Sequence, residues 1–381
     1  MRIPFYKTFS LEPLSMDAYF LRWRLFPLDA SQDLLDRLMN ATDLLPDKIT
    51  TVAQLEDRLT SPSESLIQVM LRLEGDLMIL GAGGKMGPTL AVMAKRAAEA
   101  AGVKKKIFAV ARSPLPALAK QGIETLLCDL LDLDAVSRLP QVANLVYMVG
   151  RKFGSTGAEH ATWAVNMVAA YHVARTFSRA RIAAFSTGCI YPVMDLRTGG
   201  ATEATPPAPV GEYAMSCLGR ERMFDLFAER GARVVHIRLN YAVELRYGVL
   251  VDIAMNVHQG KPVDVTTGFA NVIWQGDACD QILRSLEIAA SPAAVLNVTG
   301  PETFSIRAVA QEFGRLFGAT PIFIGEENGR GYLSNASRAN ALFGNPSVPL
   351  GRILAWIAHW IKNGGETHGK PTHFETQDGK Y

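Results

Sequence analysis

The chain has 381 residues, of which 48% are apolar and 20% are charged, and this composition is typical of a soluble globular protein with one large domain or two linked ones. Its 39 basic and 37 acidic side chains leave a net charge of +2, which argues against a nucleic-acid partner, so we expect a small-molecule partner. No apolar run reaches the length of a membrane span or of a signal peptide, and the four cysteines form no CxxC pair, so we expect a reduced cytoplasmic protein with no membrane association.

Residues 1–75 are predicted to form a helical extension ahead of the main domain. Short helices are expected at 31–44, 51–60 and 62–73. The last of these opens with "SPSE", where Ser61 can cap the helix and Pro62 suits its first turn. At the other end of the chain, the polar tail 362–381 has few side chains to bury and is expected to lie on the surface or to be disordered.

From Asp76 onwards, short apolar runs alternate with segments long enough to form crossover helices. The predicted strands are 76–80, 107–111, 124–128, 144–149, 181–186 and 233–239. Such alternation predicts an α/β fold with a parallel, doubly wound sheet of the Rossmann type. We assign the Rossmann domain to residues 76–240, and a smaller, mainly substrate-binding part that returns elements to the sheet to residues 241–361.

A glycine-rich loop joins the first predicted strand to the first helix of this domain. In "LMILGAGGKMG" the glycines have G-x-x-G-x-x-G spacing, and a pyrophosphate needs such a loop because it binds backbone N–H groups where a Cβ would be in its way. The predicted cofactor contacts here are Gly81, Gly83, Gly84, Lys85, Met86 and Gly87. The alternatives are a plain tight turn for the loop and a merely solvated side chain for Lys85.

The end of the second strand bears on the choice of cofactor. An NAD site usually has an acidic residue there for the ribose 2′-hydroxyl, whereas this chain has Arg112 and Ser113, which suit a 2′-phosphate. We therefore favour NADP(H) over NAD(H). Asp129, after the third strand, is placed either to contact the adenine edge or to cap a helix, and Val149 after the fourth strand is a further expected cofactor contact.

Further motifs are spaced along residues 76–361. They are "GAGGKMG" (81–87), "CDLLD" (128–132), "WAVNMVAAYHVAR" (163–175), "FSTGCIYP" (185–192), "EYAMSCLGRE" (212–221), "VVHIRLNYA" (234–242), "VIWQGDACDQI" (272–282), "LNVTGPETFSI" (296–306) and "SNASRANALFG" (334–344). In order and spacing this part of the chain resembles an extended short-chain dehydrogenase/reductase of the NAD-dependent epimerase/dehydratase family.

The resemblance implies a catalytic set with one member replaced. Thr187 takes the position of the family's active-site hydroxyl, Tyr213 that of the acid/base and Asn166 that of the helix asparagine. The lysine of Y-x-x-x-K is Cys217, and a neutral thiol cannot lower the pKa of the tyrosine as a positive charge does.

Three explanations of the missing lysine stay open. In the first explanation another cation takes its place, with Lys152 as the first candidate and Arg151 as the second. Arg220 lies roughly 10 Å along the helix from Tyr213, which is too far for direct help. Alternatively, Tyr213 acts as a neutral proton donor in a reduction. In the third explanation the protein binds a nucleotide without turnover.

Departures from the family pattern narrow the substrate. Gly188 and Cys189 stand where the family's dehydratases have Asp-Glu, so a dehydratase is disfavoured, and Ala270 and Asn271 stand where sugar-diphosphate binders have an arginine, so the substrate is expected to lack a nucleotide. The candidate substrate contacts, placed by motif offset, are Gly188, Cys189, Asn240, Tyr241, Arg246, Asn271 and Trp274. No histidine or cysteine spacing predicts a metal site.

The sequence leaves two functional hypotheses. The first is an NAD(P)-dependent oxidoreductase or epimerase acting on a sugar, sugar acid or related hydroxyl or carbonyl compound, and the alternative is a nucleotide-binding pseudoenzyme with a sensor or assembly role. A homodimer is expected in either case, because "RMFDLFAER" carries Met223, Phe224, Leu226 and Phe227 on a helix with which dimeric family members self-associate.

Overall fold

The computed structural model describes residues 45–380, and Lys48–Tyr381 form one compact unit. The predicted helix 31–44 and the rest of the extension before it lie outside the described residues. The strands are β1 (Leu77–Leu80), β2 (Ile107–Ala111), β3 (Glu124–Leu127), β4 (Asn144–Tyr147), β5 (Arg181–Thr187), β6 (Met194–Asp195), β7 (Arg233–Leu239), β8 (Ala242–Val243), β9 (Pro262–Asp264), β10 (Phe269–Asn271), β11 (Ile273–Trp274), β12 (Ala294–Val298), β13 (Thr303–Ser305), β14 (Ile322–Ile324) and β15 (Arg330–Gly331).

The α-helices alternate with these strands. They are α1 (Val52–Thr60), α2 (Glu64–Arg72), α3 (Gly87–Ala100), α4 (Pro116–Ala119), α5 (Leu133–Ser137), α6 (Glu159–Trp163), α7 (Ala169–Thr176), α8 (Gly211–Ala228), α9 (Val249–His258), α10 (Gln275–Arg284), α11 (Ile306–Phe317), α12 (Ser337–Phe343) and α13 (Leu350–Lys362). A π-helical turn, Ala164–Val168, joins α6 to α7. None of the helices in the described part of the chain is long and apolar enough to cross a membrane.

Seven parallel strands form the central sheet in the order β12-β7-β5-β4-β1-β2-β3. This confirms the predicted α/β class and doubly wound sheet, and six of the seven strands are the predicted ones. The strand order reverses between β1 and β4, where Leu77 is paired with Asn144 on one side and with Ile107 on the other. Ligands of doubly wound sheets bind beyond the carboxyl ends of the strands at such a reversal. The fold therefore predicts a ligand site beyond the carboxyl ends of β1 and β4.

The two described helices of the predicted extension belong to the core of the compact unit. Leu66, Val69 and Met70 of α2 join the apolar cluster that includes β1 and α3, so the unit begins at Lys48 rather than at Asp76. The cap of α2 also differs from the prediction, because Ser63 rather than Ser61 accepts the hydrogen bond of the first turn.

The polar C-terminal segment, residues 363–380, contains no helix or strand after the end of α13. It lies on the surface as predicted, but it is docked rather than disordered, since Thr372 and Phe374 are buried. A docked segment can contribute groups to a site.

Candidate active site

The glycine loop follows β1 directly and ends at the start of α3. Gly81 has a left-handed φ of +92°, and a Cβ on it would lie 2.8 Å from a methyl carbon of Val149. A Cβ on Gly87 would collide with the carbonyl oxygen of Ala82. Among the described residues no side chain caps α3, and an anion at its start is favoured by the helix dipole. The N–H of Gly87 donates to the carbonyl oxygen of Gly84 at 3.2 Å, and Pro88 has no N–H to offer.

The predicted adenosine contacts lie at the ends of β2 and β3, beside the same loop. A Cβ on Gly83 would lie 3.3 Å from the Cβ of Ala111, the last residue of β2, and the Ala111 carbonyl accepts the N–H of Cys128 at 3.0 Å. Arg112 and Ser113 are therefore next to the loop, and both are exposed. The Asp129 carboxylate accepts the N–H of Leu131 at 3.0 Å in a local turn, whereas the helix cap expected of it as an alternative is made by Asp132, which accepts from the N–H of Ala135. The side chain of Asp129 is exposed and open to a ligand.

A cavity of about 350 Å³ opens at the carboxyl ends of the strands. It extends from the glycine loop, through the ends of β5 and β7, to α8 and α9. Its walls include Gly84, Lys85, Met86, Gly150, Lys152, Ser186, Thr187, Cys189, Tyr213, Arg220, Asn240, Tyr241, Tyr247, Val249 and Thr372. The structure thus brings the glycine loop and three of the four predicted catalytic residues to one cavity.

Thr187 and Tyr213 meet inside this cavity. Thr187 ends β5, where its hydroxyl accepts the N–H of Cys189 at 3.2 Å, and Tyr213 lies in the first turn of α8. The Tyr213 side chain makes hydrogen bonds to those of Thr187 and Cys217. Burial raises the pKa of Tyr213 well above its usual value, so the phenol is protonated at neutral pH.

Arg220 supplies a positive charge at the base of the cavity. Its buried guanidinium donates to the carbonyl oxygens of Asn166 at 3.2 Å and Phe185 at 2.9 Å, and to Asn166 Oδ1 at 2.9 Å. The charge of Arg220 opposes the effect of burial on the pKa values of both Tyr213 and Cys217.

The expectation that Arg220 lies too far from Tyr213 is therefore wrong, because it considers only the distance between backbone positions. A long helical side chain extends back toward the helix N-terminus and covers the preceding turn. Asn166 does not line the cavity and acts from behind it. Its amide donates to Ser216 Oγ at 2.8 Å and its Oδ1 receives Arg220 and the N–H of Arg151, so it fixes the guanidinium. The Arg151 side chain donates to the carbonyl oxygen of Gly154 at 2.9 Å and is not part of the cavity wall.

Two lysines line the cavity. Lys152 Nζ is 6.0 Å from the ring centroid of Tyr213 and donates to the carbonyl oxygen of Thr372 at 3.3 Å, and burial lowers its pKa. Lys85, from the glycine loop, donates to the carbonyl oxygen of Ala242 at 3.2 Å and lies 3.9 Å over the ring of Tyr247. Water reaches the Lys85 side chain in the open cleft, yet the surrounding protein desolvates the ammonium and lowers its pKa to about 7.

The predicted substrate contacts divide into two groups. Cys189, Asn240 and Tyr241 line the cavity, and Tyr241 has a left-handed φ of 46°, a strained conformation that is common at functional sites. Gly188 lies behind them, because a Cβ there would be 3.1 Å from Asn240 Oδ1. Asn271 is also behind the wall, where its Oδ1 accepts from Asn240 Nδ2 at 2.7 Å.

The other two predicted substrate contacts have structural partners outside the cavity. Trp274 is buried against Trp356, with ring centroids 5.4 Å apart, and so belongs to the core. Arg246 forms ion pairs with Glu244 at 3.1 Å and with Glu56 at 2.7 Å, and it lines a neighbouring cavity.

The sequence reasoning missed some residues of the cavity wall, chiefly Tyr247, Val249 and Thr372. The first two could have been found, because they lie in the "ELRYGVL" run that directly follows the Asn240 motif. Thr372 belongs to a segment with no recognisable pattern. As for metals, the described residues contain no group of three His, Cys, Asp or Glu side chains that could hold an ion.

Comparison with protein-family models and with the sequences of curated proteins finds no match. Solved structures are similar in fold. MoeE5 in complex with UDP-glucose and NAD has a TM-score of 0.61 and 19% identity, over 75% of this chain and 98% of that one. The dTDP-glucose 4,6-dehydratase of Bacillus anthracis str. Ames in complex with NAD has a TM-score of 0.63 and 15% identity, over 76% and 97%.

A third structure, the UDP-glucose 4-epimerase of Thermotoga maritima with UDP-glucose, has a TM-score of 0.59 and 13% identity, over 75% of this chain and 98% of that one. At such identities the likeness concerns the fold alone. Over three quarters of its length, the chain has the fold of NAD-dependent sugar-nucleotide epimerases and dehydratases.

Proposed function

We propose that this protein is an NAD(P)-dependent oxidoreductase or epimerase that acts on a sugar, sugar acid or related hydroxyl or carbonyl compound. The observation that carries the proposal is the hydrogen-bonded pair of Thr187 and Tyr213, which shares one cavity with the glycine loop. A proton donor beside a nucleotide loop is what the reduction of a carbonyl by a nicotinamide requires.

The glycine loop fits a dinucleotide, because Gly81 and Gly87 leave no room for a Cβ against Val149 and Ala82, so the loop turns tightly from β1 into α3 as a pyrophosphate-binding turn does. MoeE5 and the Bacillus anthracis dehydratase, which share this fold, are described with NAD. In this chain the exposed Arg112 and Ser113 favour NADP(H), and NAD(H) is the alternative. When bound, the nicotinamide would supply or accept a hydride at C4.

The residues of the cavity suit the proton side of the reaction. Thr187 would donate a hydrogen bond to the substrate oxygen, and Tyr213 would transfer its phenolic proton to that oxygen as the carbonyl becomes an alcohol. The Tyr213 phenolate that forms would be stabilised by the fixed charge of Arg220, and Lys152 would add a second, weaker charge because burial lowers its pKa. The raised pKa of Tyr213 favours the reductive direction, in which the protonated phenol is the reactant.

The alternative function is nucleotide binding without turnover, in a sensor or assembly role. The observation in its favour is the fully buried Cys217 at the position of the family's lysine, next to a tyrosine whose pKa is raised. Homodimerisation and a cytoplasmic location stay predictions. Phe224 and Phe227 are buried within the chain, so only Met223 and Leu226 of the predicted dimer face keep exposed surface.

The test begins with the identity and redox state of any nucleotide that co-purifies, followed by the absorbance of the reduced cofactor while sugars, sugar acids and their keto forms are added. Tyr213→Phe should reduce turnover at least about 100-fold and leave NADPH affinity unchanged. Tyr171→Phe is the matched control, since Tyr171 packs against Phe227 away from the cavity. Tight nucleotide binding with no conversion of any compound would instead support the alternative function.

A further inference from the structure

The C-terminal segment is attached to the substrate side of the protein along most of its length. The attachments are hydrogen bonds from Trp360 Nε1 to the carbonyl of Glu366, from the N–H of His368 to the carbonyl of Arg246, and from Gln377 Nε2 to Thr267 Oγ1, each 2.9 Å long. Phe374 is buried between them. Such a distribution of contacts along an irregular segment indicates a specific path rather than a loose tail.

The strongest anchor is the carboxylate of Asp252 on α9. Its Oδ2 accepts the N–H of Thr372 at 2.8 Å and the Thr372 hydroxyl at 2.6 Å. Burial raises the pKa of Asp252, and the two Thr372 hydrogen bonds counteract that effect. Hydrogen bonds to a carboxylate are stronger than those between neutral groups, so this pair fixes the middle of the segment.

Thr372 also reaches the active-site cavity, through its carbonyl oxygen. The carbonyl oxygen of Thr372 accepts from Lys152 Nζ at 3.3 Å, and that ammonium lies 6.0 Å from the Tyr213 ring centroid. Further along, Gly379 lies against Gly211, the first residue of α8, so closely that a Cβ on either glycine would collide with the backbone of the other. The segment therefore touches both the candidate cation and the helix that carries Tyr213.

The segment also separates two spaces. Thr372 lines the active-site cavity of about 350 Å³, whereas Gly369, Lys370, Pro371, His373, Phe374 and Glu375 line a second cavity of about 430 Å³. Tyr247 lines both. The first cavity is near the lower end of the sizes found for ligand sites, about 300–1,000 Å³.

We propose that the C-terminal segment completes the active site, by holding Lys152 beside Tyr213 through the Thr372 carbonyl and by limiting the substrate to a small hydroxyl or carbonyl compound without a nucleotide. The limit on size rests on the proposed function. The positioning of Lys152 is a property of the fold and can be tested without a substrate.

Two variants release the segment by different means. Asp252→Ala removes the acceptor of both hydrogen bonds that Thr372 donates, and Gly379→Val forces the segment away from Gly211 without touching a charged group. Asp378→Ala is the matched control, because Asp378 is an exposed acidic residue of the same segment whose hydrogen bond and ion pair, among the described residues, are with its neighbour Lys380. NADPH titration and circular dichroism identify any variant that has lost its fold.

The readout is the rate at which Lys152 is acetylated by an amine-reactive ester, measured on its peptide by mass spectrometry. Lys85 in the same cavity is the internal reference for Gly379→Val, which leaves the charge of Asp252 in place. We expect about a tenfold or larger increase in both releasing variants and none in Asp378→Ala. An unchanged Lys152 rate in two folded variants would overturn the positioning role. Because this readout does not need NADPH, it still decides the role of the segment if the wild-type chain fails to bind the cofactor and the proposed function is lost.

UDP-glucose is the probe for the size limit. The wild-type chain loaded with NADPH should not bind it, and the releasing variants should gain measurable binding as the two cavities join. Binding of UDP-glucose by the wild type while Lys152 stays protected would contradict the limit on size. Continued exclusion by a variant in which Lys152 has become reactive would contradict it as well.

Discussion

Replacing Arg220 by glutamine tests whether this residue provides the charge that the family's lysine normally supplies. The substitution removes a buried guanidinium and leaves the carbonyl oxygens of Asn166 and Phe185 without their donor. An unsatisfied buried acceptor costs about 1–3 kcal/mol, and glutamine can replace one of the bonds, so the free energy of unfolding should fall by about 2–4 kcal/mol. Arg222→Gln is the control, because Arg222 is two residues away on the same helix and is largely exposed.

The electrostatic effect can be worked out from the helix. Seven residues separate Tyr213 from Arg220, about 10 Å along the axis, and a unit charge at that distance in a medium of dielectric constant about 20 contributes about 1.7 kcal/mol. This corresponds to about one unit in the pKa of Tyr213, and more if the guanidinium extends toward the tyrosine. Loss of the charge should therefore slow the proton-transfer step about tenfold and shift the apparent pKa of the tyrosine further upward.

The assay is the pH dependence of turnover with the first compound that the wild-type protein converts. Arg220→Gln should lower the rate and displace the limb of the profile that reports Tyr213 by about one pH unit. Arg220→Lys keeps the positive charge but cannot reproduce the three hydrogen bonds of the guanidinium. It should therefore restore the pH profile of turnover more fully than it restores the free energy of unfolding. A folded Arg220→Gln protein with an unchanged profile would refute the reasoning. If Lys152→Ala then displaced the profile, the role would pass to Lys152.

Two further predictions concern the cofactor. The pKa of Lys85 is lowered from 10.5 to about 7. Between these two pH values an unfolded chain carries a proton on this residue that the native chain lacks, so the free energy of unfolding rises with pH over that range. Below about pH 7 this contribution to stability is lost. Glu244 and Arg246 act on the same ammonium in opposite directions. A bound pyrophosphate would favour the charged form, so nucleotide binding above pH 7 should take up a proton; calorimetry in two buffers measures this, and Lys85→Met should abolish it. Arg112→Asp should weaken the binding of NADPH about tenfold or more and that of NADH only little. Equal effects on both cofactors would instead favour NAD(H) as the cofactor of this protein.

The fold could be predicted from the sequence because it depends on local patterns. Buried parallel strands appear as short apolar runs, and β1 and β2 are found where those runs lie. The glycine loop was recognisable for the same reason, since its chemistry is contained in consecutive residues. Thr187 and Tyr213 were placed by the resemblance, and they do meet in one cavity.

The rest depended on side-chain reach and on contacts between distant parts of the chain, neither of which has a sequence period. The sequence shows only that the backbone of Arg220 is distant from Tyr213, whereas its side chain enters the site. Arg246 was expected to bind substrate, but it is engaged by Glu56, 190 residues earlier in the chain. The C-terminal segment is polar because much of it is exposed, and composition could not indicate that Thr372 is buried at the cavity wall.

Introducing a lysine at position 217 tests whether Arg220 and the family's lysine are alternative, mutually exclusive sources of positive charge beside Tyr213. Cys217 is fully buried and lies one turn from Arg220, so Cys217→Lys would bring a second cation beside a guanidinium that has no acidic partner in its hydrogen-bonding shell among the described residues. We expect the added lysine to lose its proton and the chain to lose about 2–5 kcal/mol of stability, rather than to gain activity. Combining it with Arg220→Met should recover part of that loss, because the repulsion is removed and the family's lysine then stands alone beside Tyr213. Denaturation curves of the two single variants and the double variant measure the coupling, and strictly additive effects would mean that Arg220 does not occupy the electrostatic role of the missing lysine.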